Sequence, residues 1–242
     1  MFNYDSGIMR TLSKITDIVI LNLLTLICCI PIITIGTAIT AAHYAALKLH
    51  RDRGYVAKNF FRSFKMNLGQ GILIWLIWLA MVGLTLFSFS AYGGNNLGSV
   101  LKGVMLAMLI FIAMISVWLF PLQARFSNPI RATIRNAFYL SCKHLIRTIG
   151  MLIVVTLCAL LWFVGARLFW IPLLVGISLP IYLCVLIYDK VFEKLEDTIK
   201  EAQKEEVEEG EPASVGEAEI PEVALEQIAE QNAGQDVEEI SE

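Results

Sequence analysis

Long apolar runs without a single Asp, Glu, Lys or Arg partition this chain. They cover Ile18–Leu47, Met66–Leu101, Gly103–Ala124, Thr148–Ala166 and Leu168–Tyr188. A bilayer core takes about 20 apolar residues of helix to cross, so each run is long enough to span. The runs are continuously apolar and do not alternate at period two, which excludes a closed β-barrel. The pattern predicts an all-α, polytopic membrane helix bundle with five transmembrane helices. The expected organisation is a membrane bundle over 1–190, a cytoplasmic helical extension over 191–209 and an acidic, disordered tail over 210–242.

The first run strains this scheme. Thirty residues make about 45 Å of straight helix, too long for one crossing and short for two. Pro31 lies inside it, followed by Thr34, Gly36, Thr37 and Thr40. Proline removes a backbone donor and clashes with the preceding turn. Broken backbone survives at membrane depth only where protein or water satisfies it. A break packed within the bundle is therefore expected over Pro31–Thr40. Two topologies follow: five simple spans with the N-terminus outside, or six segments with a broken first helix and the N-terminus inside.

Polar residues between the runs give the orientation. One segment, 48–67, carries Lys48, Arg51, Arg53, Lys58, Arg62 and Lys65; another, 125–147, carries Arg125, Arg131, Arg135, Lys143 and Arg147 and no acid. The opposite loops carry only Lys102 and Arg167. By the positive-inside rule the two rich segments are cytoplasmic, and the acidic tail lies with them. Both segments read as basic amphipathic helices at the interface. Phe60, Phe61, Phe64 and Leu68 form the apolar face of the first, and Phe138, Tyr139 and Leu145 serve the second. They share a pattern, Phe60-Phe61-x-Ser63-x-Lys65 and Phe138-Tyr139-x-Ser141-x-Lys143, which suggests two related units offset by 78 residues.

Composition agrees with this picture. Hydrophobic residues make up 57% and charged residues 17%, with a mean hydropathy of +0.65; soluble chains hold about 25% charged residues. The net charge of −3 conceals a split. Residues 1–188 hold 15 Lys/Arg against 3 acids, and residues 189–242 hold 4 Lys against 19 acids. The early acids Asp5 and Asp17, and the lack of a small-x-small site, argue against a cleaved secretory signal. In the extension, Phe192, Leu195, Ile199 and Ala202 make a short seam, with Glu196 and Lys200 expected to pair. The outer side is expected to hold little beyond a Gly-Gly-Asn-Asn turn after Tyr92 and a tight connection at Arg167, next to Trp170.

Candidate chemistry is sparse. Ionisable residues inside spans are the usual functional signal in membrane proteins, and the inner parts of the last four runs have none. No catalytic, cofactor-binding or metal-ligating set emerges, and no enzyme is expected. The possible structural or ligand-bearing break comprises Pro31, Thr34, Gly36, Thr37, Thr40 and His43. Asp17 reads as an end-of-helix residue, and His50 and His144 as solvated. Arg62, Lys65, Arg125, Arg131, Arg135, Lys143 and Arg147 are candidate contacts for membrane lipids or an acidic partner. The five cysteines show no Cys-x-x-Cys and read as small apolar residues. Trp75 and Trp78, the methionines Met105, Met108 and Met114, and Pro121, Pro172 and Pro180 read as packing or kink positions. Nucleic acid is not an expected partner.

Three stretches in order, Pro31-Ile-Ile-Thr34-Ile-Gly36-Thr37-Ala-Ile-Thr40-Ala, Phe60-Phe61-Arg62-Ser63-Phe64-Lys65-x-Asn67-x-x-Gln70, and Phe120-Pro121-Leu122-Gln123-Ala124-Arg125-Phe126 with Asn136-Ala137-Phe138 and Arg147-Thr148, resemble the YesL family of bacterial integral membrane proteins. The likeness covers about residues 5–195 and leaves out the acidic extension. It implies a small multi-pass protein of the cytoplasmic membrane, in a family whose genes often lie near ABC-type sugar importers. The family has no established activity, so the resemblance carries over no catalytic residues. The first expectation is a non-enzymatic accessory or assembly factor of carbohydrate uptake, with a sugar ABC permease or another membrane protein as partner. The alternative is a small-solute transporter or channel with its site at Pro31–Thr40.

Overall fold

The computed structural model describes residues 7–52, 54–91, 97–126, 128–164 and 174–208, and among them all regular structure is helical. The helices are α1 (Gly7–Cys29), α2 (Ile35–His50), α3 (Val56–Met66), α4 (Leu68–Ala91), α5 (Leu97–Arg125), α6 (Ile130–Lys143), α7 (Leu145–Val164) and α8 (Ser178–Glu208). Four stretches are long and apolar enough to cross a membrane: Thr11–Cys29, Ile32–His50, Leu68–Ala91 and Val100–Arg125. A fifth is counted if α6 and α7, which meet at 100°, are taken as one bent span. The turn residues Tyr92–Asn96, the Arg167–Trp170 connection with Pro172, and the tail beyond Glu208 lie outside the described residues.

The first apolar run is not one crossing. It is two helices joined through Ile30, Pro31 and a 3-10 turn, Ile32–Thr34. The break is also shorter than Pro31–Thr40, because Gly36, Thr37 and Thr40 already belong to α2. Lys14 near the start of α1 pairs with Asp52 just past α2, at 3.0 Å. The hairpin therefore returns to the end from which it set out, and the start of α1 shares a side with the first basic segment. The run becomes two helices because Pro31 cannot donate the helical hydrogen bond that would carry α1 onward.

A three-helix unit occurs twice. Within it, α3 and α4 both pack on α2, and α6 and α7 both pack on α5, while α2 and α5 pack on one another. The amphipathic helix ends one residue before the next helix begins, at Asn67 in one copy and His144 in the other. The backbone bonds across the two bends match: Asn67 N–H donates to Ser63 O and Gly71 N–H to Asn67 O, as His144 N–H donates to Leu140 O and Thr148 N–H to His144 O. Each pair is 77 residues apart, Asn67 to His144, and not the 78 expected from the Phe-Phe and Phe-Tyr patterns. A slip of one residue turns a helix by about 100°. In the 78 register fully buried Phe60 would correspond to Phe138, which is 44% exposed. In the 77 register Phe60 matches buried Ala137, Ile74 matches Met151, and the exposed Phe61 matches Phe138. α2 and α5 both run toward the end that carries α3 and α6, so the copies are parallel.

The same rotation corrects the amphipathic faces. α3 buries Val56, Phe60 and Ser63, with Phe61 outward. α6 buries Thr133, Asn136, Ala137, Leu140 and Ser141; Phe138 instead meets Phe111 of α5 at 5.6 Å. α2 is the inner helix, its alanines Ala38, Ala41, Ala42, Ala45 and Ala46 fully buried. It approaches α4 through glycines on both sides. A Cβ on Gly36 would land on the Trp75 Cβ, and one on Gly71 would lie 2.5 Å from Thr37 Oγ1 and 3.0 Å from its Cα. Small residues allow such approach where side-chain fit, not water exclusion, holds helices together.

A second unit comprises Phe126–Asn128 and the chain from Tyr188. Phe192 sits there with Phe126 edge-on at 5.5 Å and Tyr188 at 4.7 Å. The extension continues as α8 to Glu208. Its Lys200 pairs with Asp197 at 2.9 Å, an i,i+3 neighbour within reach on a helix.

Gly36→Ala and Gly71→Val are expected to destabilise the bundle by about 1–3 kcal/mol, the usual cost of overpacking, visible as lower melting temperatures in detergent. Gly69→Val, where a Cβ meets nothing within 4 Å, should leave the transition in place.

Candidate functional site

The break is closed with hydrogen bonds. Thr34 Oγ1 lies 2.8 Å from both the Cys28 and Pro31 carbonyl oxygens and donates to them. Ile30 N–H reaches Ile27 O at 3.3 Å, and Thr34 N–H reaches Pro31 O at 3.0 Å. Trp75 Nε1–H, from α4, donates to Ile32 O at 2.9 Å. Ile27 O, which Pro31 cannot serve, thus takes the Ile30 N–H, Cys28 O takes the Thr34 hydroxyl, and Trp75 adds a tertiary donor to Ile32 O, which also accepts from Ile35 N–H. Deeper in α2, Thr37 Oγ1 faces Leu68 O at 3.5 Å. Thr40 Oγ1 donates to Gly36 O at 2.9 Å and meets Gln123 Oε1 of α5 at 3.4 Å. Thr34, Gly36, Thr37 and Thr40 are therefore engaged in holding α1, α2, α4 and α5 together, and Pro31 is exposed at the tip.

His43 stands apart from that seam. It is buried and lines a cavity of about 470 Å³ between α2, α5, α7 and the start of α8. Ile39 lines it on α2, Ser116, Val117 and Phe120 on α5, Val155, Cys158 and Ala159 on α7, and Ile177, Pro180, Ile181 and Cys184 on the α8 side. The wall is apolar except for the His43 imidazole, the Ser116 hydroxyl and two thiols. Ser116 is already occupied, donating to Ile112 O at 2.6 Å and accepting from Trp78 Nε1–H. This surface can hold an apolar body and offers little to a molecule rich in hydroxyls. Among the described residues, no cluster of three His, Cys, Asp or Glu is arranged to hold a metal ion.

Two further polar cross-links escaped the sequence. Asn22 of α1 is fully buried, and its Oδ1 accepts from Ile177 N–H at 2.9 Å and Ser178 N–H at 3.0 Å. Ser178 Oγ donates back to Ile18 O at 2.8 Å. The first backbone donors of a helix have no internal acceptor, and here the cap for α8 comes from α1. Pro180, in the first turn of α8, has no N–H to satisfy and fits there. At the α6–α7 bend, Trp118 Nε1–H donates to Thr148 Oγ1 at 2.8 Å, and Ser141 Oγ donates to Met114 O at 2.9 Å. His144 lies against Trp118, ring centroids 6.1 Å apart, and His50 meets Tyr182 edge-on at 6.2 Å; both pack against aromatic rings, where solvated loop positions were expected. The only sign of the Asn22 cap in the sequence is a polar amide in an apolar run; its partners are 155 and 156 residues away.

The basic residues do not converge on a pocket. Arg62, Lys65, Arg131 and Arg135 are exposed along α3 and α6, and Arg125 and Arg147 are half-buried. Lys143 lies over the Tyr139 ring at 5.4 Å, and burial pushes its ammonium down from the ordinary lysine value. Lys48 lies over Tyr44 at 5.5 Å. All five cysteines are free thiols, with Cys142 exposed and Cys184 buried. Asp17 is half-buried in α1.

The chain carries a domain matched by the family model described as "Protein of unknown function, DUF624", over residues 18–89. That stretch holds most of α1, the break, and the first repeat through most of α4. No curated protein and no solved structure matches the chain.

Asn22→Ala is expected to leave two amides at the start of α8 uncapped, at a cost of about 1–2 kcal/mol. Hydrogen exchange at Ile177 and Ser178 should quicken about tenfold, with amides in α4 unchanged.

Proposed function

We propose that this protein is a multi-pass protein of the bacterial cytoplasmic membrane, of the YesL kind within DUF624, that serves a carbohydrate ABC-type uptake system as a non-enzymatic accessory or assembly factor. The observation that carries the reading is where the intramembrane polar side chains are used. Asn22, Thr34, Thr40, Trp75, Trp118 and Thr148 all bond one helix to another or close a break. Such a bundle behaves as a scaffold. Its accessible chemistry is then the pair of basic helices, α3 and α6, which present Arg62, Lys65, Arg131 and Arg135 at one end. Bases so placed attract anionic headgroups by about 1 kcal/mol each and suit an acidic partner surface equally. The link to sugar uptake rests on the family resemblance and its gene neighbourhoods.

The alternative, a solute pathway at Pro31–Thr40, has less support. The hydroxyls there already have acceptors, and the cavity, which this stretch meets at Ile39, has an apolar wall. A sugar bound there would leave several hydroxyls unpaired, at roughly 1–3 kcal/mol each.

Crosslinking in native membranes followed by purification should recover a sugar permease subunit. Replacing Arg62, Lys65, Arg131 and Arg135 together by Gln should reduce that recovery severalfold without lowering expression. Recovery of the chain alone would overturn the proposal. Reporter fusions at Met1 and after Glu208 should both report the cytoplasm, as the six-segment reading requires; an external N-terminus would contradict that reading.

A further inference from the structure

The two repeats fill the same place differently. In the first, Trp75 and Trp78 of α4 stack with centroids 5.1 Å apart and planes 14° from parallel. Trp78 Nε1–H bonds to Ser116 Oγ of α5. The indoles thereby close the space between α4 and the central pair α2 and α5. In the second repeat, 77 residues on, the equivalents of Trp75 and Trp78 are Leu152 and Val155. One turn further, Met81 and Val82 are replaced by Cys158 and Ala159. Every replacement is smaller.

The cavity stands at the place left unfilled. Three of these α7 positions, Val155, Cys158 and Ala159, line it. So do Ile39 and Ser116, equivalent positions of the two central helices, and likewise His43 and Phe120. Ser116 touches the indole in the first copy; its counterpart Ile39 faces the void in the second. Among the described residues, α4 packs on both α2 and α5, whereas the main neighbours of α7 are α5 and α6. The void thus follows from the repeat and from four substitutions within it, not from loose packing in general.

We propose that this cavity is a binding site for a hydrocarbon chain, the alkyl tail of a membrane lipid entering sideways from the bilayer. Val155 is 41% exposed and Ala159 is exposed although both line the cavity, so it opens beside α7, at a level where the surroundings of an apolar span are lipid tails. A volume of about 470 Å³ lies within the range of about 300–1,000 Å³ common for ligand sites. The lining is apolar over nearly its whole extent, and the Ser116 hydroxyl is taken, so it favours a chain without hydrogen-bonding groups along its length. A tail leaving the bilayer gains nothing by leaving water. Retention comes from van der Waals fit, and fit is what an indole at position 155 would abolish.

The test uses the full chain in phosphatidylglycerol nanodiscs containing a trace of phosphatidylglycerol with a mid-chain diazirine. After photolysis and peptide mapping, label should concentrate on Val155–Ala159 and Ile177–Cys184, severalfold above the outward-facing Ile153. In Val155→Trp, label at the cavity residues should fall severalfold while label at Ile153 stays constant. Cys158→Met with Ala159→Val, which installs the residues of the first repeat, gives a second route should the indole hinder folding. Uniform labelling of α7 in the unaltered protein, or undiminished cavity labelling in a folded filled variant, would overturn the proposal.

Discussion

Hydrocarbon supplies no hydrogen bonds, and that fact shapes the breaks between the described helices of the bundle. A helix satisfies its own backbone, so the cost falls where helices stop. The structure answers with side chains from elsewhere. At the Pro31 break the Thr34 hydroxyl serves Cys28 O, and the Trp75 indole ties Ile32 O to α4. Asn22 caps the start of α8. Ser141 and Thr148 serve the bend between α6 and α7. These bonds act beside the close side-chain fit of α2 and α4, which also holds helices together in lipid.

The duplicated unit gives these bonds their geometry. A central helix receives a short helix laid across its end and then a span along its side. Two such units join through α2 and α5, where Thr40 meets Gln123. Symmetry of this sort usually decays, and where it has decayed is informative. The alanine face of α2 corresponds to Trp118, Leu119 and Leu122 on α5, so one central helix is slim and the other broad. Glycines let α4 approach the slim one.

Much of the architecture was legible in the sequence. The apolar runs, the amphipathic segments and the break at Pro31 follow from composition and from proline chemistry. The extent of the break was not, because Thr37 and Thr40 read as polar interruptions, although each can sit in a helix by bonding back to a carbonyl or across to a neighbour. The repeat was visible but misaligned by one residue: identical letters at Phe60 and Phe138 outweighed helical phase, and phase decides which face is buried. The capping role of Asn22 and the cavity beside His43 could not be read, since both join residues more than 100 positions apart. Of the expected site residues, His43 alone of the break group lines the cavity.

The clasp between Lys14 and Asp52 has a bearing on biogenesis. Between Lys14 and Lys48 the only charged side chain is Asp17, near the start. The far tip of the hairpin is apolar and uncovered, with Ile30 at 78% exposure and Ile32 and Ile33 beside it. With the turn before it, α2 makes the apolar stretch Ile32–His50, long enough to cross a membrane. The tip can thus enter the bilayer without carrying a charge into it. Insertion of α1 and α2 needs no charged segment to be translocated, and the pair can enter together from the side on which it is made.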